Sequence, residues 1–313
     1  MAMTATAAER ASESGKKLEF KGVFPANPTP VHADGRINEE ALRAIFEENL
    51  AHGVNGFWVA GSTGEGPIMN DQQRTTTARI AGETISGKGL SIMHVGAIST
   101  DSAMKGARAA KESGCDAICC VPPFFFRASD QMVIDHYKAV VDAADGLPFF
   151  VYNLPQLTQV ETTPPLMEKI VENVPNVMGL KHSAFNFGDI RVFANMGLKC
   201  YSGSGLLPLP ALTMGAVGTV DAPLSVAPWH YSELYDAWER GDIETAQRLQ
   251  DGVVEIVNVV RMFGAPAAVT KLILSERLGI DCGRPIPPVQ DLTDEQRPVV
   301  LAAARKAGLL QAP

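Results

Sequence analysis

Lys181 closes the apolar run Val177-Met178-Gly179-Leu180 and is the side chain with the most chemical consequence in the sequence. An ammonium at the end of a buried strand loses hydration, which lowers its pKa and leaves a nucleophilic amine able to form an imine with a ketone. The competing reading of the same position is a lysine whose stem lies on the strand rim while its charge reaches water. Two other segments also follow apolar runs. Gly61-Ser62-Thr63-Gly64-Glu65 sets two hydroxyls between two glycines. That turn can hold a small carboxylate with amides and side chains, or it is a polar turn capping a helix. Tyr152-Asn153-Leu154-Pro155 offers a phenol, an acid–base group wherever it reaches the reacting atoms.

These groups can act together only if the ends of their strands converge. Continuously apolar strand candidates fall at Gly22–Ala26, Gly56–Ala60, Leu90–Val95, Ala117–Val121, Phe149–Asn153, Val177–Lys181, Lys199–Ser202 and Gly218–Asp221. They recur roughly every 20 to 35 residues, the spacing of a strand–helix unit. Apolar runs without alternation suit parallel strands covered on both faces. Asn38 caps a helix whose apolar face is Leu42, Ile45, Phe46 and Leu50, Asp101 begins another, and Thr163-Pro164 starts a third. Eight such units close into a (β/α)8 TIM barrel with the loops after the strands at one mouth. An open doubly wound sheet is the alternative, but no Gly-x-Gly-x-x-Gly follows the first strand. Beyond Trp229 the strand pattern stops, and residues 231–249, 250–278 and 292–309 read as helices broken at Gly241, Gly264 and Gly279. The expected organisation is an extension over 1–17, a barrel over 18–230, and C-terminal helices over 231–313 packed on the barrel.

Composition narrows the class. The 313 residues carry 27 basic and 35 acidic side chains, a net charge of −8, and are 46% hydrophobic. A scattered acidic surface repels phosphate backbones, which argues against a nucleic-acid partner. No apolar run approaches the length of a membrane crossing. The five cysteines lack zinc-type spacing, and Cys119 and Cys120 sit inside an apolar run as small buried hydrophobes. With no apolar stretch in the first residues to act as a secretory signal, a cytoplasmic enzyme is the class this favours.

Taken in order, Gly-Ser-Thr-Gly-Glu, Tyr-Asn-x-Pro and Gly-x-Lys at successive strand ends resemble the N-acetylneuraminate lyase and dihydrodipicolinate synthase family of class I aldolases. The similarity runs from about Phe20 to Leu309 and includes Pro28-Thr29-Pro30, His94-Val95-Gly96 with Ser99-Thr100, and Ser202-Gly203. The resemblance implies that Lys181 is the Schiff-base lysine and that Tyr152 passes protons to and from the bound intermediate. It places Ser62 and Thr63 at the pyruvoyl carboxylate, with Thr63 also linking toward Tyr152. Val220 would pack by the pyruvoyl group and Gly203 would lie in a loop near the substrate. It implies a covalent imine in place of any cofactor or metal, and a homotetramer. Ser183, two residues beyond Lys181 and so on the same strand face, is a further substrate contact.

Departures from the family pattern bear on the substrate. Leu157 stands roughly where dihydrodipicolinate synthases carry an arginine for a second substrate's carboxylate. Ser204-Gly205-Leu206 replaces the acids with which sialate lyases bind sugar hydroxyls. Phe125, in Pro122-Pro123-Phe124-Phe125-Phe126-Arg127, replaces a tyrosine that extends the proton relay into a neighbouring subunit. The phenylalanine run is a subunit contact or packs internally. Asp221 supplies an acceptor to the substrate or caps a turn. Glu65 is better read as a helix-start cap than as a general acid. His182 points to the helix layer, while Trp58 and His94 are packing and buried hydrogen-bonded residues. The expected activity is a Schiff-base lyase or aldolase that makes or breaks a C–C bond, with pyruvate as product or donor beside an aldehyde. Its distal pocket is expected to be less polar than in either namesake enzyme. A dehydratase or deaminase of a 2-keto-3-deoxy acid using the same imine is the alternative. Dihydrodipicolinate synthase comes third, and a keto-acid sensor is the non-enzyme reading.

Overall fold

The computed structural model describes residues 18–311, so the extension expected over 1–17 lies outside the described residues. Eight strands, β1 (Gly22–Val23), β2 (Gly56–Val59), β3 (Leu90–His94), β4 (Ala117–Cys120), β5 (Phe149–Asn153), β6 (Val177–His182), β7 (Lys199–Ser202) and β8 (Gly218–Thr219), pair in parallel. Each lies beside its neighbours in the sequence, and β1 returns to β8. The remaining seam is bridged where Asn55 N donates to Val23 O (2.9 Å) and Trp58 N to Pro25 O (3.0 Å). The fold is a (β/α)8 barrel.

Helices connect the strands: α1 (Glu39–Ala51), α2 (Asp71–Ile85), α3 (Thr100–Glu112), α4 (Asp130–Ala143), α5 (Pro155–Thr158), α6 (Pro164–Asn173), α7 (Asp189–Asn195), α8 (Pro208–Thr213) and α9 (Pro223–Val226). Their starts follow local chemistry. The Asn38 side chain accepts from Ala41 N, and α3 begins one residue before Asp101, capped by Ser99, which accepts from Ser102 N. Thr163 precedes Pro164 at the start of α6 but makes no side-chain cap bond.

Strand alternation divides the core into two layers. Phe24, Trp58, Ile92, Cys119, Phe150 and Tyr201 fill the barrel, while Phe149 and Val151 face outward to the helices. Tyr152 follows Phe150 by two residues and therefore points inward at the barrel mouth.

Past β8 come α10 (Pro228–Glu239), α11 (Ile243–Val260), α12 (Pro266–Leu278) and α13 (Gln296–Lys306). The expected break near residue 250 is absent. The chain turns instead at Gly241 (φ 74°), and α11 runs unbroken because Ala246, Val253, Ile256, Val257 and Val260 form one apolar stripe. Gly264 (φ 67°) and Gly279 (φ 66°) do end helical segments. Val253, Val257, Ile273 and Val300 join the same buried cluster as the barrel helices. Among the described residues no helix is long and apolar enough to cross a membrane. All five cysteines are free and buried, and burial pushes the Cys115 and Cys120 thiols up to about 12.

Candidate active site

In the parallel register Tyr152 lies opposite Lys181, and Lys181 opposite Tyr201, so these side chains share the inward face. Lys181 is 3% exposed. Its Nζ stands 4.5 Å from the centroid of the Tyr152 ring and 5.6 Å from that of Trp58. Aromatic faces attract an ammonium without bonding its nitrogen. Among the described residues the amine has no ion pair or hydrogen bond, so nothing need break before it reacts. It opens into a cavity of about 420 Å³ whose wall also includes Ser62, Tyr152, Ser183, Gly203, Asp221 and Arg261.

The Ser62–Thr63 turn is bracketed by two non-glycine residues in the left-handed region, Ala60 (φ 53°) and Glu65 (φ 61°). Such backbone persists only where the surroundings impose it. A Cβ on Gly66 would fall 1.8 Å from Ala60 O, so this corner closes only around a glycine. Ser62 Oγ lies 3.1 Å from the Tyr152 hydroxyl. Ser62, and not Thr63, is therefore the hydroxyl linked to the phenol. Thr63 instead lines an adjoining cavity of about 330 Å³. A turn's geometry decides which of two neighbouring hydroxyls faces the strand ends, and residue type does not.

Glu65 stands at the start of a short 3-10 turn (Gly66–Ile68), as expected, but its side chain makes no cap bond. It is fully buried, 2.6 Å from Lys271 Nζ on α12, and accepts the Ile286 amide. Lys271 also donates to Arg284 O (3.0 Å). Burial raises the Glu65 carboxyl and lowers the Lys271 ammonium, and each charge keeps the other ionised. This pair fastens the Ser62 turn to the C-terminal helices.

The Tyr-Asn-x-Pro segment is held by Asn153, whose Oδ1 accepts from Thr162 N (2.9 Å) and whose Nδ2 donates to Thr162 O (3.0 Å). Gln156 Nε2 then donates to Ser183 O (2.9 Å), tying the loops after β5 and β6 together. Gly203 N donates to His182 O (2.7 Å), and a Cβ there would fall 1.8 Å from Ser183 Oγ. Glycine thus lets Ser183 face the cavity. Val220 is fully buried in the inner cluster and does not line the cavity. Asp221 does line it, but both its oxygens also hold the turn, accepting from Gly205 N and Ala222 N at 2.8 Å each.

His182 points outward as expected, with Nε2 2.9 Å from Asn186 O and its ring against Phe193. His94 Nδ1 donates to Ala60 O (3.0 Å), which helps hold the left-handed corner. Burial first, and the Arg74 charge second, lower its pKa to about 3. His94 therefore stays neutral behind the Tyr152 ring.

A family model described as the dihydrodipicolinate synthetase family matches residues 19–307. The chain belongs to that family. The N-acetylneuraminate lyase of Salmonella paratyphi B is 33% identical over 277 residues, covering 87% of this chain and 93% of that protein. Wild-type sialic acid aldolase from Ruminococcus gnavus superposes with a TM-score of 0.88 at 28% identity, over 92% of this chain and 97% of the other. Dihydrodipicolinate synthase from Aquifex aeolicus gives 0.84 at 25% identity, over 93% and 99%.

Within this family member the predicted residues Lys181, Tyr152, Ser62, Ser183 and Gly203 gather at one mouth, with Thr63 one cavity away. Sequence reasoning missed Arg261, which borders both cavities from the end of α11. A lone arginine before Met262-Phe263-Gly264 carries no signal until α11 is packed on the barrel. Arg261 and Asp221 both stand in the distal region. In the phenylalanine run Phe125 (φ 78°) is 76% exposed and Phe126 72%, so neither packs internally. Phe124 alone turns inward, lining a cavity of about 200 Å³ beside His94 and Tyr152.

Proposed function

We propose that this protein is a class I aldolase-type lyase that joins or splits a C–C bond of a 2-keto acid through an imine on Lys181, with pyruvate as donor or product. The observation that carries this is the buried, unpaired Lys181 amine in register with a phenol that is itself bonded to Ser62. The amine attacks the C2 carbonyl, and loss of water gives the iminium. Tyr152 gives its proton to the hydroxyl that leaves as water when the iminium forms, and the resulting phenolate takes the proton from the C4 hydroxyl as the C3–C4 bond breaks; the electron pair moves into the iminium to give an enamine and free an aldehyde. Protonation at C3 and hydrolysis return pyruvate and the amine. Ser62 orients the phenol, and Ser62, Thr63 and the amides of their turn hold the keto acid's carboxylate. Ser183 and Gly203 border the substrate, and Val220 supports the barrel floor beneath it. The imine serves where a cofactor would.

The assignment rests on the family and on this side-chain arrangement. Leu157, 65% exposed at the rim, supplies no charge where dihydrodipicolinate synthases carry an arginine, which weighs against that activity. The exposed Phe125–Phe126 pair fits a contact with a second copy of this chain, as a homotetramer would require. A panel of 4-hydroxy-2-oxo acids and 2-keto-3-deoxy acids, assayed for pyruvate release, tests the reaction. Pyruvate from at least one acid, lost in Lys181→Ala, is the expected result. Loss of water or ammonia without pyruvate would favour the dehydratase or deaminase reading, and binding without turnover would favour a sensor.

A further inference from the structure

The cavity at Lys181 and its neighbour share three wall residues, Ser62, Asp221 and Arg261. Apart from Lys181, Arg261 is the one cationic side chain in either wall, and among the described residues its guanidinium has no hydrogen bond or ion pair. Asp221 borders both cavities too but makes no ion pair with it; its two oxygens accept from the amides of Gly205 and Ala222. Around Arg261 the second cavity is largely apolar, with Leu157, Val260 and Pro266 in its wall. Arg261 is exposed at the far side of the site, and its unpaired guanidinium matches a planar anion that it can grip through two parallel N–H bonds.

We propose that Arg261 is a specificity-determining residue that binds a carboxylate at the far end of the substrate, so that the preferred substrates are 2-oxo dicarboxylic acids that split to pyruvate and an aldehyde acid. This rests on the Lys181 reading, since the keto end must sit at that amine. A polyol fits less well, because Asp221 already spends a lone pair of each oxygen on backbone amides. A phosphate dianion fits less well too, because a single guanidinium beside the Asp221 carboxylate leaves it undercompensated. A carboxylate monoanion meets both conditions. An uncharged chain end makes no such bond, and the exposed Arg261 then stays hydrated.

The test compares binding of three matched pairs by calorimetry: 2-oxoglutarate with 2-oxopentanoate, 2-oxoadipate with 2-oxohexanoate, and 2-oxopimelate with 2-oxoheptanoate. At one chain length or more the dicarboxylate should bind wild type tenfold to a hundredfold tighter, on the order of one or two charged hydrogen bonds. Arg261→Gln should remove that ratio and Arg261→Lys should restore part of it. Equal or weaker binding of the dicarboxylate at all three lengths, or a preference that survives in Arg261→Gln, would overturn the assignment. Borohydride trapping of pyruvate is read separately. If it fails while the ratio holds, the imine chemistry is wrong and the Arg261 subsite stands.

Discussion

The two sides of the cavity are built differently. The reacting side consists of strand ends, with Ser62 after β2, Tyr152 on β5, Lys181 on β6 and Gly203 after β7, each held by bonds to adjacent strands or loops. The distal side adds to Leu157 and Asp221 the end of α11 and the loop before α12, far along the chain and outside the eight strand–helix units. One side is rigid by construction, since parallel register fixes which residues lie opposite each other. The other depends on how a helical appendage docks. Chemistry placed on strands with specificity placed on an appendage lets the second vary without disturbing the first.

If the two sides are separate in function, Tyr152→Phe should hit turnover alone. It keeps the ring over Lys181 and removes the hydroxyl bonded to Ser62. Turnover should fall by roughly 10²–10⁴ with imine trapping retained, the usual worth of a positioned acid–base group. Unchanged turnover would show that the phenol moves no proton.

The buried Glu65–Lys271 pair is where the two sides are joined. Glu65→Gln or Lys271→Met leaves an uncompensated buried charge and should cost about 3–5 kcal/mol of stability in urea unfolding. The double variant Glu65→Leu/Lys271→Met should recover a large part of that. If either single variant costs under about 1 kcal/mol, in the range of an exposed ion pair, the junction is not electrostatic.

A smaller effect comes from two buried neutral histidines, His94 behind the Tyr152 ring and His136 on α4 in the helix layer. His94 has its pKa lowered to about 3 and His136 to about 4, in both cases mainly by burial. Between these values and about 6.5 the unfolded chain binds protons that the folded chain refuses. Their contribution is therefore whole above about pH 6.5 and is lost as pH falls toward 4 and 3. Each should account for about 1–2 kcal/mol of lost stability between pH 7 and 5. Urea midpoints across that range should flatten in His136→Asn, and an unchanged slope would contradict the assignment.

The same division explains what was legible in the sequence. β5 and β7 begin and end where their apolar runs do, and the inward parity of Tyr152 and Lys181 follows from strand alternation. The strands β1 and β8 shrink to two residues each because the ladder at the closing seam is short, which no run of residues reveals. Thr63 was expected at the phenol and Ser62 is there, because two left-handed residues aim the turn. Glu65 looked like a cap because its partner, Lys271, lies on a helix that only the folded chain brings near. Arg261 and the exposed Phe125–Phe126 pair were hidden or ambiguous for the same reason: their surroundings come from distant segments.

The central claim is that the Lys181 amine is the nucleophile. Incubation with pyruvate and borohydride, followed by peptide mass mapping, tests it directly. One reduced pyruvyl group per chain on Lys181, absent in Lys181→Ala, is the predicted result. No adduct on the wild type, an adduct on another residue, or labelling that persists in Lys181→Ala would contradict it.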